Sequence, residues 1–471
     1  MIERELEQYD AIVLGSGEAG KYLAWHLAST GLRTAVIERR YIGGACPNIA
    51  CLPSKNIIHS AKVATYLRGA DNGGNEPLTS ALSFADVIAR KRRMVNELVE
   101  MHLSKYAKSG VDLIQGNGRF VGDRTVEVTL HDGAIRILRG ERVFINTGSR
   151  ARIEDIPGFA QAEPLTHVEA LELNELPEHL LILGGGAVGL EFAQAMRRLG
   201  SRVSVVIRES ALLYRDDPDV SQGVSALFKD DGVEVVSDAK VTRISGKSGE
   251  RVELHFTQNG EEFLLGGTHL LAATGRTANT NGLGLESTGV ALTADGYVKV
   301  NERLETTAPN VWAMGDCAGS PHLTHISYDD FRVVRDNLAG GNRVTTGRQI
   351  PSCLFIDPEL ARVGLSEMQA KQLGRQYRLA KIPMSAIPRT RTTNETRGFL
   401  KALIGADNDQ ILGFTGFGIG SGELMATVQL AMRAGIPYQV LRDEIIAHPT
   451  LSEGLVFLLS AVPPIQTGSL Q

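Results

Sequence analysis

The sequence predicts an α/β chain in which one architecture occurs twice and a separate α+β domain follows. Three observations predict it. A strand, a glycine-rich turn and a helix stand near the N-terminus and recur near residue 180. The segments after each copy match strand for strand, and both copies end in Thr-Gly. Beyond Pro351 strands and helices continue without any glycine-rich turn.

The first copy opens on the unbroken apolar run 11–14 (Ala-Ile-Val-Leu), the pattern of a strand buried on both faces. Gly15, Gly17 and Gly20 follow in G-x-G-x-x-G spacing, then a helical pattern to Leu27, a strand over 34–37, and Glu38, 23 positions after Gly15. Strand, glycine turn, helix, strand and acid form the dinucleotide-binding fingerprint of a Rossmann unit. The second copy runs through 180–183, then Gly184, Gly186 and Gly189, a helix to Leu199 and a strand over 203–207. Strand 111–114 resembles 233–236, and 126–130 resembles 252–256. Strand 143–146 leads to Thr147 and Gly148, as 270–273 leads to Thr274 and Gly275. Two Rossmann units imply two dinucleotides. Between the copies lie a polar loop (69–83) and an amphipathic helix (84–108). Its expected buried stripe is Phe84, Ile88, Val95, Leu98, Met101 and Leu103. The tail predicts strands over 400–404 and 411–414 and helices over 423–434 and 438–447. The expected division is 1–150, 151–272, 273–346 and 347–471, with the first and third parts forming one domain.

Composition narrows the function. The chain has 49 Lys plus Arg and 54 Asp plus Glu, a net charge of −5, which excludes a chain-wide nucleic-acid footprint. The apolar run 454–462 is far short of the ~20 residues of a membrane span. The first residues carry neither a basic n-region nor an apolar h-region, so a cytoplasmic protein is expected. Four cysteines (Cys46, Cys51, Cys317 and Cys353) make no disulfide framework. The close pair Cys46 and Cys51 reads as redox-active or metal-binding.

The acid positions distinguish the two nucleotides. Glu38 stands where a carboxylate accepts a ribose hydroxyl, which fits FAD or NAD. The matching position of the second unit is Ile207, followed by Arg208 and later Arg215. Losing the acid removes repulsion against a 2′-phosphate, and two guanidiniums add charge-assisted bonds of ~1.5–3 kcal/mol each. NADPH is expected over NADH.

Cys46 and Cys51 lie near the start of a helical pattern over 51–61, where the helix dipole favours a thiolate. The segment 43–55 (Gly-Gly-Ala-Cys-Pro-Asn-Ile-Ala-Cys-Leu-Pro-Ser-Lys) resembles the redox-disulfide motif of the flavin-dependent pyridine nucleotide-disulfide oxidoreductases: glutathione reductase, dihydrolipoyl dehydrogenase and mercuric reductase. The resemblance spans essentially the whole chain. Thr147-Gly148, Thr274-Gly275-Arg276, the run from Ala313 to Asp316, and the run from His448 to Glu453 stand in the family's order.

The resemblance implies an NAD(P)H-dependent flavoprotein disulfide reductase with FAD, a redox-active Cys46–Cys51 disulfide, and a homodimer joined by the C-terminal domain. It makes Cys51 the thiolate beside the flavin and Cys46 the thiol that attacks substrate. Lys55 and Glu191 form a pair near the flavin, Asp316 holds its ribityl chain, and a helix starting near Thr324 points at its pyrimidine. His448, oriented by Glu453, is the acid/base, delivered by the other subunit. The chain also departs from its relatives. It ends without the vicinal cysteines of mercuric reductases, and it keeps the His that those enzymes lack. Trp25 replaces a substrate arginine of glutathione reductases, while Arg332 matches a second one. Ala45 and Ala50 stand where Thr and Gly are usual, and Ala187 where a gating tyrosine is common. His322 and His325 could face substrate or merely cap a helix, and Asp329 and Asp330 have no sequence-level explanation. The expected substrate is a small-molecule disulfide or another electrophile. The alternatives are a metal ion, as in mercuric reductase, a dihydrolipoyl dehydrogenase-like reaction, and a non-enzymatic flavin redox sensor.

Overall fold

The structure is a computed structural model that describes residues 6–67 and 83–465. The predicted polar loop, apart from Ser83, and the cysteine-free end 467–471 lie outside the described residues. Three of the five sheets among the described residues, the largest ones, organise the chain. In the first, Leu6–Leu14 pairs in parallel with Thr34–Glu38 on one side and Ile135–Ile145 on the other. Asp112–Gly122 continues the parallel layer beside Thr34–Glu38, then turns into an antiparallel meander with Thr125–Leu130 and Ile135–Ile145. Val311–Ala313 returns from far along the chain to pair in parallel with Ile135–Ile145.

The second sheet repeats the plan. His179–Leu183 lies between His269–Ala272 and Arg202–Val206, with Glu234–Val236 outermost, all parallel. Its meander, Lys240–Lys247, Arg251–Gln258 and Glu261–Gly267, packs alongside as a separate antiparallel sheet. Thr34–Glu38 in the first layer and His179–Leu183 in the second are buried along their length, as expected for parallel strands covered by helices on both faces. The third sheet is antiparallel, in the order Ser352–Leu354, Leu360–Gly364, Ile411–Phe417, Phe399–Gly405, Tyr377–Pro383.

Two expectations need correction. The long helix forms over Phe84–Ser109, but its buried residues are Val87, Ile88, Lys91, His102 and Tyr106. Met101 is 56% exposed and Leu103 40%. The face that meets the domain follows the 3.6-residue period through 91, 98, 102 and 106, and Met101 and Leu103 fall beside it. The helix expected over 438–447 stops at Arg442. The segment beyond it is exposed, with Ile445 at 95%, so nothing there rewards continuing the helix. The apolar run 454–462 forms the short helix Glu453–Ser460. Among the described residues no helix is long and apolar enough to cross a membrane.

Candidate active site

The glycine-rich turns come first because they set the backbone. Gly15 has φ +99°, and a Cβ there would sit 2.3 Å from the Asn146 carbonyl oxygen. Asn146 was not singled out from the sequence. Its Oδ1 accepts from Gly20 N–H (2.9 Å) and its Nδ2 donates to the Met314 carbonyl (2.9 Å), tying the turn to two strands of the sheet. In the second copy Gly184 presses on Ala273, the counterpart of Asn146, in the same way, and Gly189 packs on Gly184. Both turns deliver a helix whose first residues have no side-chain cap: Glu18–Ser29 from Gly17, and Ala187–Leu199 from Gly186. Gly186 and Ala187 are exposed, and a Cβ on Gly186 would meet nothing within 4 Å.

Glu38 ends its strand buried. Its carboxylate accepts from the Ser16 N–H (2.9 Å) and hydroxyl (2.8 Å), and from the Arg40 (2.8 Å) and Tyr41 (3.0 Å) N–H groups. The Ser16 hydroxyl has an alternative acceptor in the Tyr41 carbonyl (3.2 Å), so a ribose hydroxyl could take its place on Glu38. In the second copy Ile207 is buried under Gly185. Arg208 is 75% exposed and pairs with Glu209 (2.8 Å), and Arg215 donates to the Tyr214 hydroxyl (2.8 Å).

Cys46 lies in a one-turn helix, Ala45–Ile49, and Cys51 opens the helix Cys51–Leu67. Ala50 between them has φ −138°, so alanine in place of glycine meets no left-handed backbone. The structure holds both cysteines as thiols, each half-buried. The Cys51 Sγ lies 3.1 Å from the Thr324 hydroxyl, at the first residue of the helix Thr324–Leu338. The hydrogen bond shared with Cys46 pulls the Cys51 thiol below its ordinary range, and the Thr324 hydroxyl and the Lys55 charge add to this against burial. The same shared bond, with burial, drives the Cys46 thiol up. The shared bond thus favours the anion at Cys51 over Cys46.

One turn along the Cys51 helix, Lys55 Nζ meets Glu191 at 2.7 Å, and Glu191 also accepts from the Phe355 N–H (3.0 Å). The Thr-Gly ends of the two copies converge on Asp316. The Ser149 hydroxyl donates to Asp316, Arg276 Nε donates to the Ser149 hydroxyl (2.7 Å), and Arg276 lies 3.8 Å from Asp316. The strands Ser149–Ala151 and Arg276–Ala278 pair at this point. Thr147 donates to the Asn279 carbonyl (2.8 Å). Gly148 (φ +69°) and Gly275 (φ +136°) both face open space. In the tail, His448 Nδ1 lies 2.8 Å from Glu453. The imidazole is 69% exposed, and the buried carboxylate keeps one oxygen without a hydrogen-bond partner among the described residues.

The structure also accounts for residues that the sequence left open. Asp330 is fully buried and accepts from Gly315 N–H (2.8 Å), the Ser320 hydroxyl (2.7 Å) and Arg348 (2.7 Å). It fastens the loop that carries Asp316 to the helix that carries Thr324. Asp329 pairs with Arg343 and Arg348. His325 bonds to the Pro351 carbonyl (2.8 Å), and His322 packs on Tyr297. Trp25 is packed among Tyr22, His102 and Tyr106, while Arg332 is exposed and stacked on Tyr328.

Comparisons with known proteins decide the family. Residues 9–330 match the family described as pyridine nucleotide-disulphide oxidoreductase, and residues 350–458 match its dimerisation domain. The chain belongs to the pyridine nucleotide-disulfide oxidoreductase family. It is similar to the probable pyridine nucleotide-disulfide oxidoreductase RclA of Escherichia coli (strain K12), at 37% identity over 97% of this chain and 100% of that one. It is 32% identical to a mercuric reductase of Acidithiobacillus ferrooxidans, covering 94% of this chain and 80% of that protein. It is also 32% identical to the dihydrolipoyl dehydrogenase of Bacillus subtilis (strain 168), covering 95% and 96%. Among solved structures, the Cu(II) complex of the HOCl-induced flavoprotein disulfide reductase RclA from Escherichia coli superposes with a TM-score of 0.89, at 36% identity over 97% of this chain and all of that one.

The family is one of FAD-dependent oxidoreductases that take electrons from NAD(P)H and act on sulfur groups. The residues present fit both nucleotides. The helix N-termini at Gly17 and Gly186 have no side-chain cap among the described residues, which leaves backbone N–H groups free for an anionic group such as a pyrophosphate. The open glycines Gly148 and Gly275 beside Asp316 leave room that side chains would fill.

Proposed function

We propose that this chain reduces a small-molecule disulfide with NADPH, through Cys51 and then Cys46. The single observation that carries this is the thiol pair, in which Cys51 is bonded to Thr324, backed by Lys55 and Glu191, and favoured as the anion over Cys46. A bound FAD would supply hydride acceptance from the nicotinamide and electron transfer to the Cys46–Cys51 pair. Glu38, the helix from Gly17 and Asp316 would hold that group, and the helix from Gly186 with Arg208 and Arg215 would hold NADPH. For Arg208 this means exchanging Glu209 for a 2′-phosphate.

The chain's own residues then do thiol–disulfide chemistry. The Cys46 sulfur attacks one sulfur of the substrate disulfide, forming a mixed disulfide and releasing the first thiolate. Cys51 attacks Cys46, closes the Cys46–Cys51 bond and releases the second. The raised Cys46 thiol needs a base to attack, and each leaving thiolate requires an acid. The His448–Glu453 pair is the proton carrier that suits both steps. Its imidazole is exposed on the domain that matches the family's dimerisation domain, which supports a homodimer in which the partner subunit's His448 completes each site. The division into an FAD-binding domain (1–150 with 273–346), an NADPH-binding domain (151–272) and a dimerisation domain (347–471) is part of the same proposal. Sheet membership supports it: Val311–Ala313 joins the first sheet, and His269–Ala272 closes the second. So is a cytoplasmic location, which suits a thiol pair that must be reduced to work.

Cys51→Ser tests the proposal. Disulfide turnover is expected to vanish while FAD stays bound, and retained turnover would refute it. A metal-ion substrate is the second reading, prompted by the Cu(II) complex of the Escherichia coli relative. Cu(II) that accelerates NADPH oxidation in the parent but not in Cys46→Ser would favour it, and simple inhibition would count against it.

A further inference from the structure

Lys21 is a buried cation that the reaction above does not use. It lies on the helix Glu18–Ser29, and its Nζ is 2.8 Å from Glu18, 3.2 Å from His102 Nε2 and 3.4 Å from the Gly43 carbonyl. His102 Nδ1 is 2.6 Å from the Leu98 carbonyl, which fixes its proton there and leaves the Nε2 lone pair for the ammonium. Gly43 and Gly44 lead directly into the Cys46 turn, and both have positive φ (+88° and +85°). Neither has room to move inward. A Cβ on Gly44 would lie 2.5 Å from Gly17 Cα, and one on Gly43 would lie 3.0 Å from the His102 ring. The cysteine loop is thus clamped between the start of the first helix and His102, and the ammonium grips its carbonyl.

The same ammonium has an electrostatic effect. The Glu18 charge opposes a thiolate at Cys46, and Lys21 neutralises it at contact distance. Resting on the role given above to Cys46, we propose that Lys21, held by Glu18 and His102, is a positioning residue for Cys46: it pins the Gly43 carbonyl and cancels the Glu18 charge beside the cysteine loop. Burial keeps His102 below the ordinary histidine range, and thus a neutral acceptor. Tyr22 lies under the Lys21 ammonium, its ring centroid 5.6 Å from Nζ, and Tyr106 packs on Trp25. Lys105 sits over Trp25, which stacks on His102, and the short helix Ala45–Ile49 brings Cys46. The Cys51–Leu67 helix meets the long helix farther away, through Asn56 with Met94 and Ser60 with Arg90.

The test is the rate of Cys46 alkylation by iodoacetamide across pH, read by peptide mass spectrometry in the reduced, FAD-loaded full chain carrying Cys51→Ser. In that background Lys21→Met is expected to slow alkylation about tenfold at neutral pH and to move its midpoint up by about one unit. His102→Phe is expected to act in the same direction, and His102→Gln, which keeps an acceptor at the Nε2 position, to restore the rate to within about twofold. Rates and midpoints for Lys21→Met and His102→Phe equal to or better than the parent would overturn the proposal. If either variant fails to load FAD, His102→Gln against His102→Asn decides: faster alkylation with Gln supports the proposal, and equal rates overturn it. Failure of the underlying role is seen separately, as disulfide turnover surviving Cys46→Ser.

Discussion

At the scale of single residues, the two thiols differ only in their neighbours. Cys51 has the Thr324 hydroxyl and lies in the fields of Lys55 and Arg276. Cys46 has burial and the Glu18 charge, both of which oppose its thiolate. Thr324→Val removes one hydrogen bond to a charged sulfur, about 1.5–3 kcal/mol. The Cys51 midpoint is expected to rise by about one unit or more, measured as thiolate absorbance against pH in the reduced chain, and an unmoved midpoint would remove Thr324 from the site. His448→Ala is expected to lower kcat with disulfide substrates by about 10²–10⁴, the range for a lost acid/base. Its FAD content should be unchanged. Cofactor preference is also decided here. Arg208→Ala with Arg215→Ala should raise KM for NADPH and leave KM for NADH alone, and equal effects on both would show that neither arginine reads the 2′-phosphate.

At the scale of elements, the junctions between sheets rest on buried charge. Lys401, on the strand Phe399–Gly405, is 0% exposed and bonds to Asp217 (2.8 Å), Asp219 (2.8 Å) and Glu367 (3.0 Å). Asp217 and Asp219 open the helix Pro218–Asp230 of the second copy, so one ammonium joins that copy to the third sheet. The three carboxylates could by themselves hold a cation, but Lys401 already sits among them. Lys401→Met leaves a buried carboxylate unpaired and is expected to cost about 3–5 kcal/mol, read as a fall in Tm. Against burial, hydrogen bonds from Lys401 and from the Glu367 and Met368 N–H groups lower Asp217, and bonds from Lys381 and Lys401 lower Asp219. Groups lowered on folding stabilise the fold fully above the ordinary aspartate range, near pH 4. That stabilisation fades as pH drops through the lowered native values. Chemical denaturation should therefore show the full, pH-independent contribution of this cluster between about pH 5 and 8, and a steep loss below pH 4 that Lys401→Met lacks.

At the scale of the whole molecule, the duplicated plan was legible because two parallel sheets repeat apolar runs and glycine spacings that only buried strands and tight turns require. Cys46, Cys51, Lys55, Glu191, His448 and Glu453 were readable from motif context, and the structure brings them together as pairs. What was not legible depends on contacts between distant segments. Nothing near Asp330 in sequence announces Gly315 and Arg348, nothing near Asn146 announces Gly20, and nothing in the first helix announces that Lys21 will lie on His102, 81 residues away. Met101 and Leu103 failed for a related reason: an apolar residue beside a helical stripe reads the same as one within it until the helix is docked. The dimer belongs to this scale too. Sedimentation at micromolar concentration should give twice the chain mass, 50.8 kDa, and mixing His448→Ala with Cys46→Ser subunits should restore part of the activity that each lacks alone.

The central claim is that electrons from the nicotinamide arrive at this one pair of sulfurs. Anaerobic addition of one equivalent of NADPH to the oxidised, FAD-loaded protein, followed by quenching and differential alkylation, tests it directly. Two new thiols should appear at Cys46 and Cys51, with Cys317 and Cys353 unchanged. No new thiol at either position, with NADPH consumed, would contradict it.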